Sequence, residues 1–280
     1  MKLCPSSSFK LYNAPILTFG MNDWIKKLFI ERADIFLKIM NMRWSRTKEL
    51  VNGMIRVLHD LGIMSGSLLD LCCGNGRISI CMALKGFKAV GIDISRSFIE
   101  DAKRKAEEYG VSSFVKFFEG DVRKLREIIK MKEPFNVVVN AWTSIGYFSP
   151  KEELEIFKQA RELSKENAVL FILETMHTEF LSLKFVPSSY METEDMMTLE
   201  RQKYNPITST LETSWTFYRK HGKNLEYVDK VEFTLHVYSI SELSSLLHEA
   251  GWEPVATYGN LVTLQPMSPL TALNLVAVAK

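Results

Sequence analysis

The chain has 280 residues, of which 46% are hydrophobic and 24% charged, and its formal net charge is +2. That length and balance suit one large α/β domain, or a domain with an inserted lobe, and exclude a disordered or collagen-like chain. The near-neutral charge supplies no whole-protein field to steer the chain onto nucleic acid or an anionic membrane, although a local basic patch stays open.

At the N-terminus, MKLCPSSSFKLYNAPILTFG has no continuous apolar h-region, and Cys4 lacks the apolar run that precedes a lipoprotein cysteine, so a cytoplasmic protein is expected. No window approaches the roughly 18 uninterrupted apolar residues of a transmembrane helix, so no membrane span is expected. Next, NDWIKKLFIERADIFLKIM and WSRTKELVNGMIRVLHDLG are helical in pattern, the second leading into the first strand. The first of these is read as a cover over one sheet edge or over the site. Cys4, Cys72, Cys73 and Cys81 contain no CxxC pair, and the five histidines contain no HExxH, so neither a disulfide framework nor a metal centre is expected.

From Ser67 the chain alternates short apolar runs with helical patterns, the mark of repeated βα units and a mainly parallel sheet. SLLDL, KAVGID, FVKFFEG, FNVVVN and AVLFILE read as five strands. Ser95 is a natural cap for a helix with Phe98, Ile99, Ala102 and Ala106 on one face and Gly110 at its close. Ser149 and Glu152 form a capping box around Pro150. From about Thr175 to Ser239 no good helix is visible. TLETSWTFYRK and LEYVDKVEFTLHVY flank the turn HGKN, and METEDMMTLERQKY supplies a third strand of an antiparallel insertion. In the second run Leu225, Tyr227, Val231, Phe233, Leu235 and Val237 share one parity and are expected on the buried face. The α/β rhythm resumes with the helix SISELSSLLHEAG, then WEPVATYG and the terminal strand LTALNLVAVAK.

In a doubly wound sheet the first strand-to-helix turn meets the ligand, and here that turn is CGNG. Gly74 and Gly76 permit backbone geometry and close approach that a β-carbon would block, although a ligand-free tight turn would use them too. Asp93 ends the second strand nineteen residues after Gly74, the spacing of a carboxylate that accepts hydrogen bonds from a ribose diol; a loop-solvating Asp is the alternative. Asp121 follows the third strand, so Asp70, Asp93 and Asp121 punctuate three successive strands. A dinucleotide fingerprint would want glycine where Ser79 stands, which weakens an NAD-dependent dehydrogenase and favours a nucleoside ligand without pyrophosphate.

LLDLCCGNGR, VGIDIS, FEGDVR and FNVVVNAWTSIGYF, in this order and spacing, resemble the successive motifs of class I S-adenosylmethionine-dependent methyltransferases, over roughly residues 46–280. The resemblance implies a Rossmann-like, doubly wound, seven-stranded sheet of order 3-2-1-4-5-7-6 whose last strand is antiparallel. It divides the chain into a helical cover (1–45), the cofactor-binding core (46–174 and 239–280) and an inserted antiparallel lobe over the substrate (175–238). It implies S-adenosylmethionine as cofactor and S-adenosylhomocysteine as product. By the same resemblance Cys72, Gly74, Asn75 and Gly76 line the methionine part and Asp70 orients the turn. Asp93 takes the ribose hydroxyls, Ile94 the adenine face, Asp121 the adenine amino group with Val122 beside it, and Asn140 a contact near the sulfonium. Cys72 departs from the glycine usual there and reads as its small substitute, with Cys73 a small buried side chain.

A sulfonium donor is already activated, so aligning the acceptor and excluding water suffices, and the missing acid–base dyad is expected. Trp142, Tyr147 and Phe148 are candidate walls of the transfer site, as aromatic faces favour cations; ordinary core packing is the alternative for Trp142 and Phe148. Trp215, Phe217 and Tyr218 are candidate walls in the insertion. His177 is a candidate base, with a satisfied loop histidine the stronger reading, and His236 is expected to be solvated. A small-molecule acceptor is expected; RNA or protein acceptors, or a noncatalytic cofactor-binding subunit, are the alternatives. The sequence does not set the oligomeric state.

Overall fold

The computed structural model describes residues 23–130 and 133–280; Cys4 and the leader reading lie outside the described residues. A short helix α1 (Asp23–Lys26) passes through a π-helical turn (Lys27–Glu31) into α2 (Ala33–Met42) and then α3 (Trp44–Asp60). Along α3, Leu50, Val51, Met54, Val57 and Leu58 are buried, and this three-and-four spacing seats one face on the sheet.

The α/β core follows in chain order as β1 (Ser67–Leu71), α4 (Arg77–Ala83), β2 (Lys88–Asp93), α5 (Arg96–Glu108), β3 (Val115–Glu119), α6 (Leu125–Ile128), β4 (Phe135–Ala141), α7 (Pro150–Glu162) and β5 (Ser164–Thr175). Its helix ends fall where the capping residues predict. Ser95 accepts from the Phe98 amide, and the Ser149–Glu152 capping box closes in both directions. Leu69 pairs with Val90 on one side and Val138 on the other, all buried, as expected of strands covered on both faces.

Beyond β5 come α8 (Thr178–Lys184), then β6 (Ser188–Glu192), β7 (Met196–Asn205), β8 (Thr210–His221) and β9 (Asn224–His236), which form a second, antiparallel sheet. The chain returns to the core through α9 (Ile240–Glu249), β10 (Trp252–Asn260), the two-residue β11 (Gln265–Pro266) and β12 (Leu273–Ala279). The main sheet runs β3-β2-β1-β4-β5-β12-β10-β11, with β12 antiparallel to both neighbours, so the expected seven-strand order is present with β11 added at the edge. Chain direction along the sheet reverses between β1 and β4, which opens a crevice at their carboxyl ends.

Three expectations need correction. The inserted sheet has four strands, since SSYME pairs with β7 as β6. A helix, α8, stands where none was visible; it is only seven residues long, and its start is marked by His177 at the N-cap position. Leu225 and Tyr227 are 48% and 59% exposed, because Phe217 pairs with Asp229 but Tyr218 with Tyr227. The bulge leaves Val228 over and flips the parity of everything before it.

One core cluster lies on each face of the main sheet. A third joins Ile25, Phe29 and Phe36 of the N-terminal helices to Phe217 and Val231 of the second sheet, so that helices and sheet roof the crevice together. Lys27 and Arg32 pair with Asp229, and Lys38 with Asp195. The Lys38–Asp195 pair is exposed and contributes little. Among the described residues no helix is long and apolar enough to cross a membrane.

Candidate active site

The turn after β1 coils through three left-handed residues, Cys72 (φ 56°), Gly74 (φ 55°) and Gly76 (φ 73°). Cys72 therefore occupies a glycine conformation, at a cost of about 1–2 kcal/mol. Asp93 ties this turn to the next, since its Oδ2 accepts from the Gly74 amide at 2.8 Å and its Oδ1 from the Ser95 amide at 2.9 Å. Burial raises its carboxyl to about 6 despite those bonds. Burial likewise raises Asp70 to about 6, while the Ser79 hydroxyl donates to its Oδ2 at 2.7 Å. The residue that breaks the dinucleotide fingerprint thus serves the buried carboxylate instead.

Asp121 caps a 3-10 turn and is gripped by the Arg123 guanidinium, with Nη2 to Oδ2 at 2.7 Å. Although its own burial pulls the other way, bonds from Arg123 hold the carboxyl below the usual range. Arg123 also reaches Glu152 Oε1 at 2.8 Å and lies over the Phe148 ring. After β4, Trp142 (φ 57°) and Thr143 (φ 59°) form a strained loop. Glu153 of α7 holds that loop from beneath, accepting from the Gly146 amide at 2.8 Å.

One cavity at these strand ends is lined by Asp70, Cys72, Gly74, Asn75, Asp93, Ile94, Asp121, Val122 and Tyr147. Trp142 and Phe148 also line it. The remaining candidates stand elsewhere. A β-carbon on Gly76 would lie 2.7 Å from Phe117 Cζ and 3.0 Å from Ala102 Cβ, so this glycine serves packing against α5. Asn140 is 4% exposed behind the wall that Ala141 and Trp142 form. Trp215 is one layer back, stacked on Phe36 at 5.9 Å, with its Nε1 donating to Glu200 at 2.8 Å. Tyr218 lies across the bulge from Phe217 and packs on the exposed Tyr227. His177 is 1% exposed with both ring nitrogens engaged, by Glu179 at 3.0 Å and the Thr271 carbonyl at 2.9 Å, which makes it the satisfied histidine rather than a base. His236, expected in solvent, is half-buried between Tyr238 and Glu242.

Residues not singled out from the sequence complete the cavity. Phe29, Phe36 and Met40 descend from the N-terminal helices, and Arg77 rises from the start of α4. Asn41 Oδ1 accepts from Asn75 at 2.9 Å and Lys105 at 2.6 Å, pinning the end of α2 to the glycine turn. The amphipathic pattern of α2 announced a buried face, but nothing local said what it would cover.

The twin cysteines have raised thiols, through burial first and then the surrounding carboxylates. Neither is therefore a ready nucleophile. Native protein is expected to resist iodoacetamide at both positions at pH 8, and Cys73→Ser to bind ligand as the parent does. Rapid alkylation of Cys72 or Cys73 in the folded state, read by peptide mass analysis, would contradict this.

Residues 68–167 match the methyltransferase domain family. The matched segment carries a methyltransferase domain, set in a Rossmann-like fold. Among curated relatives, the Bacillus subtilis (strain 168) protein YqeM, which carries a methyltransferase name, is 34% identical over 132 residues, or 46% of this chain and 50% of that one. The chain thus spans about half the length of the curated relatives it matches first. Shorter matches carry names for RNA, protein-lysine and ubiquinone-biosynthesis methyltransferases. The fold is shared with an S-adenosylmethionine-dependent methyltransferase from Clostridium acetobutylicum ATCC 824 (TM-score 0.68, 14% identity, 83% of this chain and 91% of that one). It is also shared with the sugar N-methyltransferase KedS8 from Streptoalloteichus sp ATCC 53650 (TM-score 0.65, 17% identity, 100% of both chains).

The residues present fit that cofactor. Carboxylates at the ends of β2 and β3 line the cavity, and at Gly74 a β-carbon would stand 2.7 Å from Met40 Sδ, so only glycine leaves the cradle clear. Asn75 Oδ1 is buried with no hydrogen-bond partner among the described residues, a polar atom that a ligand can satisfy.

Proposed function

We propose that the chain transfers a methyl group from S-adenosylmethionine to a small-molecule acceptor by in-line displacement. The observation that carries this reading is the shared cavity of the β1 glycine turn and the strand-end carboxylates Asp93 and Asp121. When bound, the cofactor supplies a methyl group already activated on a sulfonium. In this reading Cys72, Gly74 and Asn75 bear on its methionine part, while Asp70 braces the turn through Ser79. The oxygens of Asp93 keep lone pairs for ribose hydroxyls beyond those given to Gly74 and Ser95. Ile94 and Val122 flank the adenine, whose amino group donates to Asp121. Asn140 and Gly76 shape the walls without touching the ligand.

The acceptor class is inferred from the roof. Residues 23–45 and the lobe 175–238 close over the core (46–174 and 239–280), and Tyr147, Trp142 and Phe148 present rings to the cavity. Such a lid excludes water and admits a small molecule more readily than a folded macromolecule. A structural relative named as a sugar N-methyltransferase supports the same direction. RNA acceptors form the second reading, favoured by the RNA-named matches.

Calorimetric titration with S-adenosylmethionine is expected to show binding that Asp93→Ala weakens roughly 10–100-fold, the loss of hydrogen bonds to a buried charge of about 1.5–3 kcal/mol. Absence of binding to the parent protein would sink the cofactor reading. Incubation with labelled S-adenosylmethionine and fractionated cell extract is expected to label small metabolites; label confined to RNA or protein would overturn the acceptor class.

A further inference from the structure

The inserted sheet turns polar where its inner face crosses the middle of the roof. Alternate residues of β7 lie on that face, and they read Met196, Thr198, Glu200, Gln202 and Tyr204. Met196 packs at one end with the N-terminal helices and Tyr204 at the other with α8, so both ends are apolar contacts. Between them a second cavity opens, lined by Trp24, Gln202, Thr213 and Phe233. Gln202 pairs with Thr213 and Thr213 with Phe233, which sets the three in one row across the sheet. Packing alone gives no reason for polar side chains between two apolar ends of a covered face.

The hydrogen bonds of that row leave a defined remainder. The Gln202 amide nitrogen donates to Glu200 Oε1 at 3.2 Å and to Thr213 Oγ1 at 3.4 Å. A carboxylate only accepts, so the nitrogen is the atom on that side, and the amide oxygen keeps its lone pairs. Glu200 is itself fixed by Trp215 Nε1 at 2.8 Å and Ser189 Oγ at 2.6 Å. Thr213, 4% exposed, accepts from Gln202, and its hydroxyl proton is left to donate. A spare acceptor beside a spare donor, against an aromatic wall, complements a hydroxyl-bearing ring, whose O–H groups give and take hydrogen bonds while its C–H face lies on the aromatic side chains. The mouth adds two bases, Arg201 and Lys203, and two acids, Glu212 and Glu232, so it carries no net charge and does not select an anion.

Trp24 joins this cavity to the first. Its ring centroid lies 5.1 Å from that of Phe233, in a stacked pair, and 5.1 Å from that of Tyr147, edge-on. Phe233 lines the second cavity and Tyr147 the first, so one side chain separates the two.

We propose that the second cavity is the distal part of the acceptor site, that it takes an uncharged, hydroxyl-bearing ring such as a glycoside, and that Gln202 and Thr213 determine its specificity. The inference rests on the methyl-transfer reading above and deepens it. An acceptor whose reactive atom lies beside Tyr147 reaches Gln202 only past Trp24, so the recognised hydroxyls are remote from the methylated atom.

Saturation-transfer NMR on the protein loaded with S-adenosylhomocysteine tests this, with the methyl glycosides of glucose, galactose and mannose as probes and glucose 6-phosphate as the anionic control. Saturation is expected on the ring protons of at least one glycoside. Its affinity is expected to fall roughly 3–10-fold in Gln202→Leu and in Thr213→Val, as for the loss of one neutral hydrogen bond. Calorimetric affinity for S-adenosylhomocysteine is expected to stay within about twofold of the parent in both variants, which also shows that they are folded. Should buried Thr213→Val fail that control, half-buried Gln202→Leu decides. No saturation of any glycoside, parent-strength glycoside binding by either folded variant, or a preference for the 6-phosphate would overturn the subsite and leave the cofactor reading standing. A parent protein that binds no S-adenosylhomocysteine would overturn the cofactor reading itself.

Discussion

Gly74→Val is expected to abolish measurable S-adenosylmethionine binding in a protein that still folds, whereas Gly76→Val is expected to cost stability first. The two glycines look alike in sequence and share the left-handed conformation, at φ 55° and 73°. Each substitution therefore incurs about 1–2 kcal/mol of backbone strain. They differ in what a side chain would meet. At Gly74 it meets Met40 Sδ at 2.7 Å, the outer part of a flexible chain, so α2 can yield; but the new isopropyl group then fills the cavity wall where the ligand would lie. A loss of a hundredfold or more, about 3 kcal/mol, is expected in the titration. At Gly76 the β-carbon meets Phe117 of β3 and Ala102 of α5, both buried in the core. Overpacking there adds about 1–3 kcal/mol, for a total near 2–5 kcal/mol out of the 5–15 kcal/mol typical of a whole domain. Thermal melts and titrations on the two variants separate these outcomes. Ligand binding by Gly74→Val at the parent's strength would mean that the turn is not the cradle.

The same contrast shows what a sequence makes legible. The alternation of β1 to β5 with helices was readable because strands covered on both faces must be apolar throughout, and because Ser95, Ser149 and Glu152 announce helix starts by local chemistry. Cys72 reads as a glycine substitute through the family resemblance alone, and its φ of 56° agrees with that reading. Features set by distant partners were not readable. The bulge at Val228 leaves no residue-type signature, and the unbroken alternation of the sequence puts Leu225 and Tyr227 on the wrong face. The Arg77–Glu174 pair joins positions 97 residues apart, and Met40 meets Gly74 only because two amphipathic surfaces happen to face each other. Periodicity tells which face of an element is buried, and the partner must come from the fold.

Glu153→Gln is expected to raise Tm above pH 8 and to leave it unchanged near pH 4. Glu153 is 2% exposed, and burial outweighs its hydrogen bonds to lift the carboxyl from 4.5 to about 8. Because the folded value lies above the unfolded one, the native state keeps a proton that the unfolded chain has already released. The associated stability is present in full below about pH 4.5 and is lost as pH rises through about 8. At about 1.4 kcal/mol per unit, the ceiling on that loss is on the order of 5 kcal/mol, several degrees in Tm for a chain of this size. Glutamine can replace the protonated acid because the Gly146 and Phe148 amides, at 2.8 and 3.4 Å, both donate to Oε1, which an amide oxygen reproduces. Asp70 and Asp93, raised to about 6, impose the same sign of pH dependence on both proteins, so the difference between the two melting profiles isolates Glu153. Parallel profiles across pH 4–9 would show that the carboxyl ionises without cost. The expected divergence would mean that the Trp142–Phe148 loop is held by a neutral acid at pH 7. The loop is held from the other side as well, where the His236 amide donates to the Gly146 carbonyl at 3.0 Å. Deprotonation above pH 8 would then loosen the aromatic wall of the cavity before it unfolds the core.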